Sequence, residues 1–230
     1  MRTLGILGGM SWESSAQYYA LINRAVRERR GGIVSAPLLM HSFDFDFIAA
    51  LQRAGEWERL GSMLGEAAAG LERAGAEAIL IATNTMHLVA PAVETAISAP
   101  LIHIADPLGA ALSEAGHSRV GLLATRFTME QPFYAERLAL HGIEVMVPGE
   151  VERGEIHRVI FEELCAGEVN PASRSALAAM IDQLASEGAT AIALACTELM
   201  LLIRPEDSAL SLFDTTALHC AAAVDFALAG

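Results

Sequence analysis

The chain repeats itself, and the repeat constrains its fold more than any other feature. Residues 75–86, GAEAILIATNTM, align without gaps on residues 188–199, GATAIALACTEL, and each copy follows an amphipathic helical stretch. Both read as helix, glycine C-cap, buried strand and polar turn. A fainter echo pairs TLGILGG at 3–9 with RVGLLAT at 119–125, and Asp106 after LIHIA with Asp214 after LSLF. A duplicated unit of this kind divides 230 residues into two lobes of about a hundred each.

Apolar runs at 3–7, 37–43, 78–82, 101–104, 119–124, 143–147, 191–195 and 210–213 read as strands. Helical periodicity lies between most of them, clearest at 56–74 and 172–187. Near-continuous apolar strands alternating with helices predict an α/β protein with parallel sheets covered on both faces. The expected division is 1–107 plus 214–230 for the first lobe and 108–213 for the second. Ligands of such sheets sit at the carboxyl ends of the strands. If two pseudo-symmetric lobes face each other with the active site between them, Thr83 and Cys196, which the repeat makes equivalent, approach the ligand from opposite sides.

Composition narrows the chemistry. All fifteen basic residues are arginine, so the chain has no lysine. That removes the internal aldimine of pyridoxal phosphate, Schiff-base aldolases and the lysine-bearing phosphate loop. A formal charge of −13 argues against nucleic acid or an anionic membrane as partner. No apolar run reaches the roughly 18 residues of a membrane span, and the N-terminus MRTLGILGGM reads as a buried strand instead of a signal segment. Three cysteines without a paired spacing fit neither a disulfide framework nor a zinc site, so a cytoplasmic protein with reduced thiols is expected. The seven histidines lack metal-binding spacing, and Asp44 and Asp46, alternating with Phe43, Phe45 and Phe47, read as a strand end. Neither metal nor cofactor is expected.

Inverting a carbon that bears one hydrogen is simplest when one group removes the proton from one face and a second delivers a proton to the other. Cys196 follows five strand residues and precedes Thr197-Glu198 at a helix start, where backbone N–H groups should shift a thiol towards thiolate. Cys165 and Cys220, in apolar helical contexts, read as inert. The turn Gly8-Gly9-Met10-Ser11, like Asn84-Thr85 and Thr197-Glu198, can present backbone N–H groups to a carboxylate.

GILGGMSWESS near the start, TNTMH at 83–87, LLATRFT at 122–128 and ACTEL at 195–199 resemble the aspartate/glutamate/hydantoin racemase superfamily, specifically its aspartate-racemase-like branch. The resemblance spans nearly the whole chain. It implies two flavodoxin-like lobes and a cofactor-independent racemase inverting the α-carbon of an amino acid. Aspartate and glutamate are the first candidate substrates, and a broader range is open. It implies catalytic roles for Thr83 and Cys196, and substrate contacts at Met10, Gln52, Arg53, Asn84, Thr85, Thr125, Thr128, Thr197 and Glu198. Arg53 would grip a side-chain carboxylate in bidentate fashion.

Two departures stand out. Thr83 occupies the position of the family's first cysteine, and a hydroxyl is a far poorer base than a thiol, so the two faces cannot be equivalent. Thr83 would need a relay through water, Glu198 or His87; its simpler reading is a hydroxyl capping the next helix. The family's lysine in the segment resembling 160–165 is also absent, with Cys165 at or near that point, which weakens strict aspartate preference. Other readings are an arylmalonate-type decarboxylase, for which one cysteine suffices, and a non-catalytic small-molecule binding protein. The partners expected are a small amino acid and, as an assembly open to the chain, a second copy in a homodimer.

Overall fold

The computed structural model describes residues 1–229. Two compact units emerge, one formed by Met1–Ile104 with the C-terminal residues from His219 onward, the other by Ala105–Leu218. The first contains β1 (Leu4–Gly8), α1 (Trp12–Arg30), β2 (Leu38–Ser42), α2 (Phe45–Ala54), α3 (Trp57–Arg73), β3 (Ala78–Ile81), a 3₁₀ turn (Thr85–Val89) and α4 (Ala90–Ala96). The second contains α5 (Ala105–Glu114), β4 (Arg119–Ala124), α6 (Arg126–Glu130), α7 (Pro132–Ala139), β5 (Glu144–Met146) and α8 (Glu150–Arg158). It continues through a π-turn (Val159–Glu163), a 3₁₀ turn (Leu164–Ala166), α9 (Pro171–Ser186), β6 (Ala191–Ala195), α10 (Leu199–Leu202) and β7 (Ser211–Asp214) to the start of α11 (Thr215–Leu228).

The strand orders are β2-β1-β3 and β5-β4-β6-β7, with every pair parallel. In the first unit the alternation of β-strand side chains supplies two cores. Leu4, Ile6, Ala78 and Leu80 meet Tyr18 and Ile22 of α1 and Val224 of α11, whereas Leu7, Ile79 and Ile81 meet Leu60 and Leu64 of α3. Full burial of each large aliphatic side chain contributes about 1.5–3 kcal/mol.

The repeat seen in sequence is reproduced in packing detail. Gly75 and Gly188 end α3 and α9 with φ of 103° and 105°. The next residues then donate back into those helices, Ala76 N to Leu71 O and Ala189 N to Leu184 O, both at 3.0 Å. Gly5 and Gly121 are the inner glycines of β1 and β4. A Cβ on Gly5 would lie 2.7 Å from Ile79 Cδ1, and one on Gly121 would lie 2.7 Å from Ile192 Cδ1. Each glycine is therefore what lets an isoleucine of the neighbouring strand pack against its own.

Two local expectations are corrected. Residues 101–104 do not form a strand: Leu101 makes only an isolated bridge with Ile79. Beyond it, imidazoles take the backbone groups that a strand would pair. His219 Nε2 donates to Ile102 O at 2.6 Å, and Ile104 N donates to His87 Nε2 at 3.2 Å. Asp44 is not in a strand either; it caps α2, its carboxylate accepting from Asp46 N at 3.1 Å. Among the described residues no helix is long and apolar enough to cross a membrane.

Candidate active site

Because all strands within a sheet run parallel, the residues that follow them gather at one edge. In the first unit Met10 follows β1, and Thr83, Asn84 and Thr85 follow β3. In the second, Thr125 directly follows β4, and Cys196, Thr197 and Glu198 directly follow β6. The exits of β3 and β6 are equivalent in the repeat, but they are equipped differently.

At the end of β6, Cys196 is buried, and its thiol donates to Glu198 Oε2 at 3.0 Å. The same oxygen accepts from Thr197 Oγ1 at 2.5 Å. Burial, then the negative charge of Glu198 and the hydrogen bond to it, push the Cys196 thiol well above its ordinary value. The expected shift towards thiolate is thus overturned. A backbone N–H of Glu198 does pull the pKa down, as anticipated, but α10 is only four residues long and the opposing effects are larger. Cys196 rests as a protonated thiol.

Cys165 lies in the same unit, near Cys196. Its 3₁₀ turn packs against α10, and it lies close enough that its charged form would push Cys196 higher still. Cys220 is buried in the first unit's core, as an inert thiol should be. None of the three cysteines forms a disulfide.

At the end of β3, Thr83 is half-buried, and its hydroxyl makes no hydrogen bond among the described residues. The capping role considered for it is therefore not filled. Its carbonyl instead accepts from His87 Nδ1 at 2.9 Å. A carbonyl only accepts and the Ile104 amide only donates, so His87 carries its proton on Nδ1 and offers a lone pair on Nε2. Burial, followed by the nearby His103 and His219, holds its pKa well below the ordinary value of 6.5. This neutral imidazole has both nitrogens engaged by the main chain and cannot serve as the relay suggested for Thr83. Asn84 and Thr85 are buried beside it.

The remaining candidates fall into distinct environments. Met10 and Gln52 are buried, and the Gln52 amide donates to Met86 Sδ at 3.1 Å. Arg53, the next residue of α2, is exposed and forms no ion pair among the described residues. The Gly8-Gly9 turn is shaped by packing: a Cβ on Gly9 would come within 2.2 Å of Phe43 O. The Gly9 N–H is occupied by Ser15 Oγ at 2.7 Å, so this amide is not available to a carboxylate as expected. Thr125 caps α6, accepting from Thr128 N at 3.4 Å with the two hydroxyls 3.3 Å apart.

Duplicated α/β units with all strands parallel are the fold of the Asp/Glu racemases. The profile described as Asp/Glu/Hydantoin racemase matches residues 7–223, and the chain belongs to that family. A candidate Asp/Glu racemase from Yersinia pestis is 45% identical with a TM-score of 0.93, covering 99% of this chain and 100% of that one. An aspartate racemase homologue from Pyrococcus horikoshii OT3 is 34% identical with a TM-score of 0.85, covering 99% of each chain. The aspartate racemase of Picrophilus torridus, 19% identical with a TM-score of 0.73 over 99% of this chain and 94% of its own, shares the fold.

Proposed function

We propose that the chain is a cofactor-independent amino-acid racemase in which Cys196 and Thr83 act on opposite faces of the substrate α-carbon, with aspartate and glutamate as first substrates. The observation that carries this reading is the pair of repeat-equivalent strand exits, one ending in a thiol hydrogen-bonded to Glu198 and the other in a hydroxyl with no partner among the described residues. Buried Asn84, Thr85, Thr125, Thr128 and Thr197 would supply the neutral donors that hold the α-carboxylate and stabilise the charge gathering on it as the proton leaves. Arg53 would meet a side-chain carboxylate.

Proton movement follows from the resting state. Cys196 holds a proton and can deliver it directly to a planar intermediate. To act as a base it must first pass that proton to Glu198, after which the thiolate removes the α-hydrogen and the Thr83 hydroxyl protonates the other face, regaining a proton from solvent water while Glu198 releases its own. At equilibrium the two enantiomers are equal in free energy, so kcat/KM must match in the two directions. Asymmetry shows only in kcat and KM separately, or in exchange without inversion.

The test is turnover of L- and D-amino acids in heavy water, followed by NMR and chiral chromatography. A racemase incorporates deuterium at Cα, and Cys196→Ala abolishes this. Near-wild-type exchange in that variant would remove Cys196 from the mechanism. One specific observation favours a second reading: a lone thiol held protonated suits delivery of a proton to an enediolate left by loss of carbon dioxide. Release of carbon dioxide from an arylmalonate, without amino-acid exchange, would select that decarboxylase chemistry.

A further inference from the structure

We propose that His87 is a positioning residue for Thr83, fixing the exit of β3 by donating its Nδ1–H to the Thr83 carbonyl. The proposal rests on reading Thr83 as the proton-transfer group of the first unit. Thr83 is β-branched, so a fixed backbone leaves its hydroxyl few directions in which to point. With no hydrogen bond of its own among the described residues, that hydroxyl depends on the backbone for its aim.

His87 is built to hold the backbone still. It is 1% exposed, with Nδ1 2.9 Å from Thr83 O and Nε2 3.2 Å from Ile104 N. Rotating the ring would break the hold on the half-buried Thr83 carbonyl and strand the buried Ile104 amide at once. Its neighbours are fixed in turn. The His103 ring lies 4.5 Å away and the His219 ring 5.8 Å away, centroid to centroid. His219 accepts from Tyr18 OH on Nδ1 at 2.7 Å and donates from Nε2 to Ile102 O at 2.6 Å. The segment 102–104 is thereby clamped by two imidazoles, and one of them carries the hold through to Thr83. An aliphatic side chain at position 87 could fill the space but could satisfy neither main-chain group.

Two amide substitutions separate the two arms of the clamp. In His87→Asn the amide nitrogen can stand where Nδ1 stood and keep the donation to Thr83 O. In His87→Gln the amide oxygen reaches the place of Nε2 and keeps the Ile104 amide satisfied while the hold on Thr83 is lost. The experiment measures aspartate turnover in heavy water by the full-length wild type, His87→Ala, His87→Gln and His87→Asn, scoring deuterium retained in the starting enantiomer separately from inverted product.

The expected result is that His87→Gln lowers inversion roughly 10- to 100-fold, as displacement of a reacting group by part of an ångström does, while retained exchange at the Cys196 face stays within about twofold. His87→Asn should recover most of the inversion that His87→Ala loses. The retained exchange also reports that each variant is folded and binds substrate. Unchanged inversion in His87→Gln would overturn the proposal, as would equal losses of inversion and exchange in the Gln and Asn variants, which mark a purely structural role. If the wild type exchanges no amino acid at all, the racemase reading falls first and takes this role with it.

Discussion

The neutral state of His87 makes the stability of the first unit depend on pH in a defined window. In the unfolded chain its imidazole takes up a proton near the ordinary value of 6.5, whereas in the folded unit burial and the adjacent His103 and His219 delay protonation to well below that. Below pH 6.5 the unfolded state therefore binds more protons, so the stabilisation is present above that pH and is lost as pH falls through and beneath it. For one such group, linkage gives a loss of about 1.4 kcal/mol between pH 7.5 and 5.5. Carboxylates held low by arginine, such as Glu130, Glu155 and Asp207, release their stabilisation only at more acidic pH, because their unfolded values lie near 4. Both tryptophans, Trp12 and Trp57, lie in the first unit, so their emission follows its unfolding. The urea midpoint should fall by roughly 0.5 to 1.4 M over this interval, and His87→Gln should remove that share of the pH dependence. Identical pH dependence in wild type and variant would refute the claim that His87 is held neutral.

Glu198→Gln should lower the pKa of the Cys196 thiol by removing a negative charge and a charged hydrogen-bond acceptor, although burial, the largest cause of its elevation, remains. Alkylation of Cys196 by iodoacetamide, followed by peptide mass spectrometry, should then begin at lower pH, while proton transfer at Cα slows by about 10²- to 10⁴-fold; alkylation shifted to higher pH would contradict the arrangement. Gly5→Ala and Gly121→Ala should each cost about 1–3 kcal/mol by overpacking. Gly5→Ala should cost more, because its new Cβ also meets Ala76 Cβ at 2.9 Å, which cannot rotate away, whereas Gly121→Ala meets the movable Leu184 Cδ1 at 3.0 Å; thermal unfolding that reverses this order would discount the packing argument. Arg53→Ala should weaken aspartate and glutamate by about 1.5–3 kcal/mol in transition-state binding, tenfold or more, and leave alanine and serine nearly unchanged. Equal losses for all four would show that this exposed guanidinium does not read the side chain.

Much of the fold was legible because the features that set it are local. The glycine that ends a helix and the buried strand after it leave marks in the repeat, and the structure reproduces them at Gly75 and Gly188; the packing of Gly5 and Gly121 against an isoleucine of the neighbouring strand emerges only in the structure. The failures came where distant side chains intercept backbone groups. Nothing near LIHI reveals that His219 will take the Ile102 carbonyl, or that His87 will take the Ile104 amide. The alternation in FDFDF fits a strand as well as it fits an aspartate cap followed by a helix, and local sequence alone does not choose between them. The positions of Thr83 and Cys196 were readable from the same repeat. The protonation state of Cys196 was not, since it depends on how deeply β6 is buried and on the turn of the Glu198 carboxylate towards the sulfur.

That protonation state reshapes the chemistry the sequence suggested. Inversion needs one acid and one base at the start of each turnover. On the racemase reading Cys196 would rest as the acid, its thiol donating a hydrogen bond to Glu198. The neutral His87 spends both nitrogens on the main chain, which leaves the Thr83 side without a resting base of suitable strength. On the racemase reading, the proton that Glu198 can draw from Cys196 is then what creates a base at all, and it does so on the Cys196 face. Removal of the α-hydrogen should accordingly be fast on that face and slow on the other. A thiol that has taken up deuterium from solvent can return it before Thr83 delivers a proton, so the enantiomer whose hydrogen faces Cys196 should gain deuterium with retention in excess of inversion. Thr83→Cys places a second thiol at the end of β3 and should move the balance towards inversion. If the wild type shows no excess of retained exchange from either enantiomer, and Thr83→Cys alters nothing, the hydroxyl is not the weaker of the two partners and the asymmetry between the two strand exits has no part in the mechanism.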